Sequence, residues 1–112
     1  MNTSTAIAGL SDPDLLRMQC LIDGQWTGDT GADACDVHNP ATGEKLGTVT
    51  DFGASETIAA IKAAHAAMPA WAAKSAKERA KILRRMHDLM LEHQDDLARI
   101  LTAEQGKPLA EA

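Results

Sequence analysis

A thiol and an imidazole lie three positions apart in the first half of the chain, at Cys35 and His38. A cysteine beside a histidine is the minimum of a nucleophilic pair, because the imidazole can take the proton of the thiol. The two residues fall in a short extended stretch, however, and an odd spacing on a strand sends side chains to opposite faces. The spacing therefore argues against a small thiol enzyme, which remains the third of three interpretations.

The possible metal ligands do not show the spacing of a metal site either. His87 and His93 are six positions apart, which places them on different faces of a helix, and neither belongs to a His-Glu-x-x-His motif. The ligand pairs of a structural zinc site are absent among the remaining candidates, which are Cys20, Cys35, His38 and His65. Both cysteines are better explained as half-buried, small apolar side chains.

Glycines that could cradle a phosphate are also in the wrong context. Gly106-Lys107 looks like the end of a phosphate loop, but Pro108 stands where Ser or Thr is needed. The earlier glycines lack the strand-turn-helix setting of a dinucleotide site: Gly24, Gly28 and Gly31. The sequence therefore predicts no catalytic, no cofactor-binding and no metal-ligating residue within these 112 positions.

Composition limits the kind of core that the chain can build. Of its 112 residues 45% are hydrophobic, but many of these are alanine, and there is a single Phe and no Tyr. A buried parallel sheet needs runs rich in Val and Ile, which this chain lacks. Any doubly wound nucleotide-binding sheet must then lie elsewhere.

Charge and targeting signals exclude several partners. The net charge is −5, which disfavours nucleic acid as a partner. Basic residues concentrate only between Lys74 and Arg85, and a solvated helix face explains them. There is no signal peptide pattern, no disulfide framework and no apolar run of membrane-spanning length. The sequence predicts a protein of the reducing cytoplasm without a membrane partner.

The elements that would position these residues fall into two halves. Residues 1–14 are small and polar, which predicts a loose arm, and the rest of the chain, 15–112, is one unit. Asp23-Gly24 between apolar residues is a strong hairpin signal, because both positions of a type I′ turn need positive φ. A second turn is predicted at 39–44, so residues 19–50 should form antiparallel hairpins in a small meander.

From residue 55 onward the apolar period becomes helical. Ser55 as N-cap and Pro69 as terminator predict a helix over 55–68, with Trp71 in the connection that follows. Ser75 and Glu78 form a capping box for a second helix over 75–92. A break near His93 is expected, because Asp95 and Asp96 look like the acidic first turn of a third helix over 94–105.

The last residues of the sequence suggest a helix end and a new helix. Gly106 suits the left-handed position that ends a helix, and Pro108 suits a first helical turn. Only one turn remains after it, and one turn is not stable alone. From this pattern we expect the chain to be a piece of a longer protein.

Taken in order, several short motifs resemble the N-terminal region of the aldehyde dehydrogenase superfamily. They are the segments 21–26, 39–44 and 104–108 together with Trp71, Arg79 and Leu83. Within that family the segments 94–98 and 104–112 look most like the succinate-semialdehyde branch and its glutarate-semialdehyde relatives. The resemblance extends from Leu21 to Ala112.

The resemblance implies an α/β aldehyde dehydrogenase fold of which this chain is the N-terminal fragment only, ending before the Rossmann sheet and the catalytic domain. The complete enzyme would oxidise a semialdehyde with NAD or NADP through a cysteine nucleophile, as a homo-oligomer. Cys20 and Cys35 are not in the segment of that nucleophile, and Glu104 belongs to a motif other than the general base. In such an enzyme the helices would pack on the cofactor domain, with the hairpins outside.

Two interpretations from different classes therefore lead. The first is an N-terminal structural segment of a succinate-semialdehyde dehydrogenase that is inactive by itself. The second is an independent helical interaction module, which uses the apolar faces of the helices over 55–68 and 75–105. Both expect exposed apolar surface, so stickiness does not separate them.

Overall fold

The computed structural model describes residues 7–28 and 34–112. Two small antiparallel sheets are followed by three helices, which confirms the predicted local architecture. A short 3-10 helix at Pro13–Leu15 precedes the first sheet. The strands are β1 (Cys20–Ile22), β2 (Gln25–Thr27), β3 (Ala34–His38) and β4 (Lys45–Thr50), and the helices are α1 (Ala54–Ala73), α2 (Ala76–Glu92) and α3 (Gln94–Gln105).

The β1–β2 hairpin forms around the Asp-Gly pair, as predicted. Asp23 and Gly24 have φ values of 51° and 73°, so both turn residues are left-handed. Leu21 pairs with Trp26 across the hairpin, and the guanidinium of Arg17 lies 4.8 Å from the centre of the Trp26 ring. This hairpin is held by its turn and by side chains that remain largely exposed.

The β3–β4 hairpin is closed by the predicted turn over 39–44. The carbonyl of Asn39 accepts a hydrogen bond from the Gly43 amide at 2.8 Å, and its side-chain oxygen accepts one from the Ala41 amide at 2.9 Å. Gly43 has a φ of 76°, as the turn requires. The register shifts between Val37 and His38, which places a bulge next to the turn.

In the described residues the strands form two separate two-stranded sheets, so the predicted hairpins are confirmed, but the small meander that would join them in one sheet is wrong. The hairpins meet at Thr50 instead, whose amide donates to the carbonyl of Met18 at 2.9 Å. A Cβ on Gly28 would lie only 2.5 Å from the Thr50 side chain, so the chain comes close here because residue 28 has no side chain.

Helix α1 is longer than predicted. Gly53 is its N-cap, and Ser55 lies inside the first turn, where its hydroxyl donates to the Glu56 carboxylate at 2.8 Å. Pro69 does not end the helix but lies within it, and Trp71 belongs to its last turn. A proline removes one backbone hydrogen bond. The alanines around it have the highest helix propensity, which offsets the loss.

Helices α2 and α3 follow the prediction closely. Ser75 and Glu78 form the capping box at the start of α2, and His93 separates the two helices. Gly106 ends α3 in the left-handed conformation, with a φ of 83°. After Pro108 the chain makes a single turn, in which the Glu111 amide donates to the Pro108 carbonyl at 2.9 Å.

Few side chains in the described part of the chain are buried, among them Ile7 at 5% and Leu46 at 7% exposure. The predicted loose arm over 1–14 is wrong for residues 7–14, because Ile7 is buried and Ser11 and Asp12 are hydrogen-bonded to α3. Residues 1–6 lie outside the described part of the chain. None of the helices in the described residues combines the length and the hydropathy that crossing a bilayer would require.

Candidate functional site

The first helical turn of α3 presents a buried carboxylate to the start of the chain. Asp96 is 3% exposed, and its Oδ1 and Oδ2 accept hydrogen bonds from the Ser11 and Asp12 amides at 2.8 and 2.7 Å. Asp12 in turn caps the short 3-10 helix, because its Oδ1 accepts from the Asp14 amide at 3.1 Å. We call residues 7–12 the N-terminal segment. One carboxylate therefore joins this segment to a helix more than 80 positions away.

These contacts hold Asp96 in its charged form. The amides of Ser11 and then Asp12 lower the pKa of Asp96, because each donates to the carboxylate. Burial opposes this effect, while the nearby His93 and Arg99 side chains add to it. The hydrogen bonds dominate, so Asp96 stays ionised at neutral pH.

An open cleft of about 270 Å³ lies beside the N-terminal segment. Its lining brings together distant parts of the sequence: Ile7, Ala8, Asn39, Leu46, Arg99, Thr102, Ala103 and Leu109. The hydroxyl of Thr102 is buried and has no hydrogen-bond partner among the described residues. The polar members of this lining are Asn39, Arg99 and Thr102, and the others are apolar.

Two of the motifs behind the family resemblance meet near this cleft. A Cβ on Gly106 would lie 3.1 Å from the Pro40 ring, so the end of α3 approaches the turn over 39–44 closely. Asn39 and Leu109 both line the cleft. These motifs therefore share a structural role, since each forms one side of the same junction.

The second feature is a helical face, by which we mean the large apolar side chains that α1 and α2 leave exposed. Its members are Ile58, Ile61, Met68, Trp71, Ile82, Leu83, Met86, Leu89, Met90 and Leu91. Their exposure runs from 37% for Trp71 to 64% for Met68. Apolar surface of this extent is typical of a site that packs on other protein.

Arg79 fixes the corner between α1 and α2. Its guanidinium donates to the Ala72 carbonyl at 3.3 Å and also to the Lys74 carbonyl, so it satisfies backbone acceptors at the end of α1. The predicted solvated basic face thus has one member with a structural task. The other basic residues of α2 are exposed, as predicted: Lys77, Lys81, Arg84 and Arg85.

The structure does not assemble the chemical candidates into a site. Cys35 and His38 are both exposed on β3, on either side of the bulge, and Cys35 is not half-buried as predicted. Cys20 is partly buried, with its Sγ 3.9 Å from the Thr50 carbonyl. Within the described residues no three His, Cys, Asp or Glu side chains are grouped to hold a metal ion.

The glycines do not fit the phosphates of a nucleotide. Gly24 is in a hairpin turn, and Gly28 packs against Thr50, whereas Gly106 is at the C-terminal end of a helix. Phosphates bind at the N-terminal end of a helix, where free amides point outward. Gly31 lies outside the described residues. We derive no cofactor contact from these positions.

Sequence reasoning placed Asp96 in the first turn of α3 but did not identify it as buried. Acidic residues are common in first turns because they favour the helix dipole, so Asp95 and Asp96 look alike in the sequence. Which of them turns inward depends on the N-terminal segment, whose apolar Ile7 and Leu10 were the only available signal.

The motifs, the two hairpins and the exposed helical face are features of a structural segment that packs on other protein. Comparison with known proteins identifies its family. The family model described as "Aldehyde dehydrogenase family" matches residues 26–112. The chain belongs to the aldehyde dehydrogenase family.

Individual relatives are similar over nearly the whole chain. The NADP+ succinate-semialdehyde dehydrogenase of Escherichia coli is 60% identical over 103 residues, which cover 92% of this chain and 21% of the relative. The glutarate-semialdehyde dehydrogenase of Pseudomonas aeruginosa is 56% identical, with the same coverage. The crystal structure of succinate-semialdehyde dehydrogenase from Burkholderia pseudomallei superposes with a TM-score of 0.86 at 56% identity, covering 91% of this chain and 21% of that one. The chain spans about a fifth of the length of the relatives it matches.

Proposed function

We propose that this chain is the N-terminal structural segment of an NAD(P)+-dependent dehydrogenase that oxidises succinate semialdehyde, or a close semialdehyde such as glutarate semialdehyde, to the acid. The similarity to relatives with those activities supports the parent reaction. NAD or NADP would be bound by the rest of such an enzyme. The chain by itself neither binds the cofactor nor carries out the oxidation.

The exposed helical face is the observation that carries this proposal. Ile61 and Met68 are more than 60% exposed, and clustered large apolar side chains that are exposed mark surfaces that pack on other protein. The partner that would cover this face is the rest of an aldehyde dehydrogenase chain, because about four-fifths of the length of such a relative lies outside the part that this chain matches. The parent enzyme would be a cytoplasmic homo-oligomer without nucleic acid or membrane partners.

A segment exchange tests this role. The region of the Escherichia coli relative that matches this chain is replaced by the residues of this chain, and NAD(P)+ reduction is followed with succinate semialdehyde. We expect the chimera to be active and to keep the cofactor preference and substrate preference of the Escherichia coli enzyme, because this segment contributes no residue to the chemistry. A changed cofactor preference would contradict the proposal.

The chain expressed alone provides the matched control. It should reduce neither NAD+ nor NADP+ in the presence of succinate semialdehyde, since the family's nucleophile is not among its residues. Reduction above the level of a Cys35→Ser variant would show instead that the chain has its own thiol chemistry.

The alternative is a stand-alone helical interaction module without catalysis, which the same exposed face favours. The two proposals differ in the codons expected after the one for Ala112. A stop codon there, together with a cooperatively folding monomeric product, favours the module. A reading frame that continues into a cysteine-bearing catalytic domain favours the dehydrogenase.

A further inference from the structure

The contacts of the N-terminal segment with α3 are unlike those of an ordinary chain terminus. Two consecutive amides, of Ser11 and Asp12, each donate to a different oxygen of the Asp96 carboxylate. Such hydrogen bonds to a charged acceptor are roughly twice as strong as neutral ones. Asp96 is 3% exposed in the structure. Water can replace the two amide donors only if the segment leaves and the carboxylate becomes exposed.

A second contact on α3 lies one turn further along the helix. The Arg99 guanidinium is beside Gly9, where a Cβ would lie 3.5 Å from its Nη1. Gly9 has a φ of 82°, a left-handed conformation that favours glycine. Ile7 then enters the cleft, in which Thr102 and Ala103 continue the same side of α3. Residues at positions 96, 99, 102 and 103 therefore form one continuous stripe under the segment.

We propose that the N-terminal segment acts as a strap that closes only on the folded first turn of α3, with the Asp96 carboxylate as its fastening point. Asp96 lies in the first turn of α3 and is 85 positions from Ser11, so the strap fastens the start of the chain to a turn that exists only when α3 is formed. Closure buries Ile7 and adds Ile7 and Ala8 to the cleft that Leu109 also lines. The strap thereby supports the turn through which the chain passes after α3.

Titratable groups of both kinds lie around Asp96. Arg99 on α3 and His93, which precedes α3, help to lower the pKa of Asp96, while Asp12 in the strap and Asp95 on α3 are acidic neighbours. Protonation of Asp96 would replace an acceptor with a donor facing an amide. An asparagine at position 96 imitates this change at any pH, because its amide group can accept from only one of the two backbone donors.

Hydrogen exchange read by mass spectrometry tests the strap in the protein as expressed from its own gene. Peptides that cover residues 7–16 are compared with an internal reference from α2, in the wild type and in Asp96→Asn. The matched control is Asp95→Asn, which removes the same charge from the exposed neighbouring position. We expect Asp96→Asn to speed exchange at Ser11 and Asp12 at least about tenfold, with α2 unchanged. We expect no change at these amides in Asp95→Asn.

Two exchange results would contradict the strap. Equal exchange of residues 7–16 in the wild type and both variants overturns the strap, and so does a wild-type segment that exchanges as fast as an unstructured peptide. If Asp96→Asn also loosens α2, Asp96→Glu decides, because it keeps the charge but displaces both oxygens. Faster exchange confined to residues 7–16 then supports the strap, and wild-type protection there overturns it. These contacts lie within the chain, so their test does not depend on the proposed enzyme.

Discussion

The region around α3 and the region of α1 and α2 differ in how far the chain covers its own side chains. At α3 the chain covers part of the helix itself: Asp96 accepts hydrogen bonds from two amides, and Ile7 and Leu46 are buried nearby. Helix α2 begins with a capping box, but the large apolar side chains of α1 and α2 remain exposed. The difference shows that local signals can complete a helix without completing its packing.

This contrast suggests which interactions stabilise the chain by itself. Contacts in the α3 region join residues from both ends of the sequence, so they contribute to tertiary stability. Contacts in α1 and α2 are mostly local, such as the capping box at Ser75 and the hydrogen bonds of Arg79. We therefore expect substitutions to have large effects around α3 and small effects on the helical face.

The largest effect is expected at Leu46, which is 7% exposed in β4. Leu46→Ala should lower the free energy of unfolding by about 2–4 kcal/mol, because it removes buried apolar atoms and leaves a cavity. Urea denaturation followed by circular dichroism measures this change. Leu21→Ala is the matched control, since Leu21 is 58% exposed, and it should cost less than about 1 kcal/mol. Equal costs would show that the buried region is not where the structure puts it.

The second test changes the pH. The folded-state pKa of Asp96 lies below its ordinary value of 3.8, so its contribution to stability is complete above that pH and is lost as the pH falls through the folded pKa. Asp36 and Glu56 have lowered pKa values too, the first through its hydrogen bond to Lys45 and the second through its own amide and the Ser55 hydroxyl.

The wild type and Asp96→Asn are therefore compared across the acidic range. The variant lacks the Asp96 titration but keeps those of Asp36 and Glu56. We expect the stability difference between the two proteins to be constant near neutral pH and to shrink as the pH falls below 3.8. A stability difference that does not change with pH would contradict the role of the ionised Asp96 carboxylate as the hydrogen-bond acceptor of the N-terminal segment.

A smaller effect is expected at the start of α2. Ser75→Ala should destabilise the helix by about 1 kcal/mol, because the Glu78 amide loses its side-chain acceptor. Ser55→Ala is the control in α1, where the serine lies inside the helix and caps nothing. Thermal unfolding followed by circular dichroism measures both. A cost at Ser55 as large as that at Ser75 would mean that α1 begins later than the structure shows.

The smallest effect is expected on the helical face. Ile61→Lys in the 112-residue chain should change the free energy of unfolding by no more than about 0.5 kcal/mol, because Ile61 is 62% exposed. It should also reduce self-association in sedimentation velocity experiments, since it places a charge on exposed apolar surface. A loss of about 2 kcal/mol or more, the usual cost of disturbing a core, would show that this face is packed within the chain.

Local signals in the sequence predicted most of the elements. The Asp23-Gly24 turn, the turn over 39–44, the capping box at Ser75 and the left-handed Gly106 were all confirmed. Each depends on the conformational preferences of a few neighbouring residues. The prediction was wrong at Pro69, where the propensity of the surrounding alanines outweighed one lost hydrogen bond.

Sequence reasoning predicted less of the candidate site than of the secondary structure. The order of motifs correctly indicated the family, because short local patterns can be recognised in a single sequence without any knowledge of its contacts. The burial of Asp96 and Ile7 was missed, since it arises from contacts across more than 80 positions. The prediction that no catalytic or cofactor-binding residue lies in this chain stays a prediction.

The sequence by itself determined the limits of α2 and α3, the two hairpins and the family, because caps, turns and apolar periods act between neighbouring residues. Only the tertiary structure decided that the N-terminal segment lies on α3, and that Asp96 rather than Asp95 receives its amides. It also decided that the end of α3 meets the turn at Pro40. Such contacts join distant residues, and many pairings of the same elements are compatible with the same local preferences.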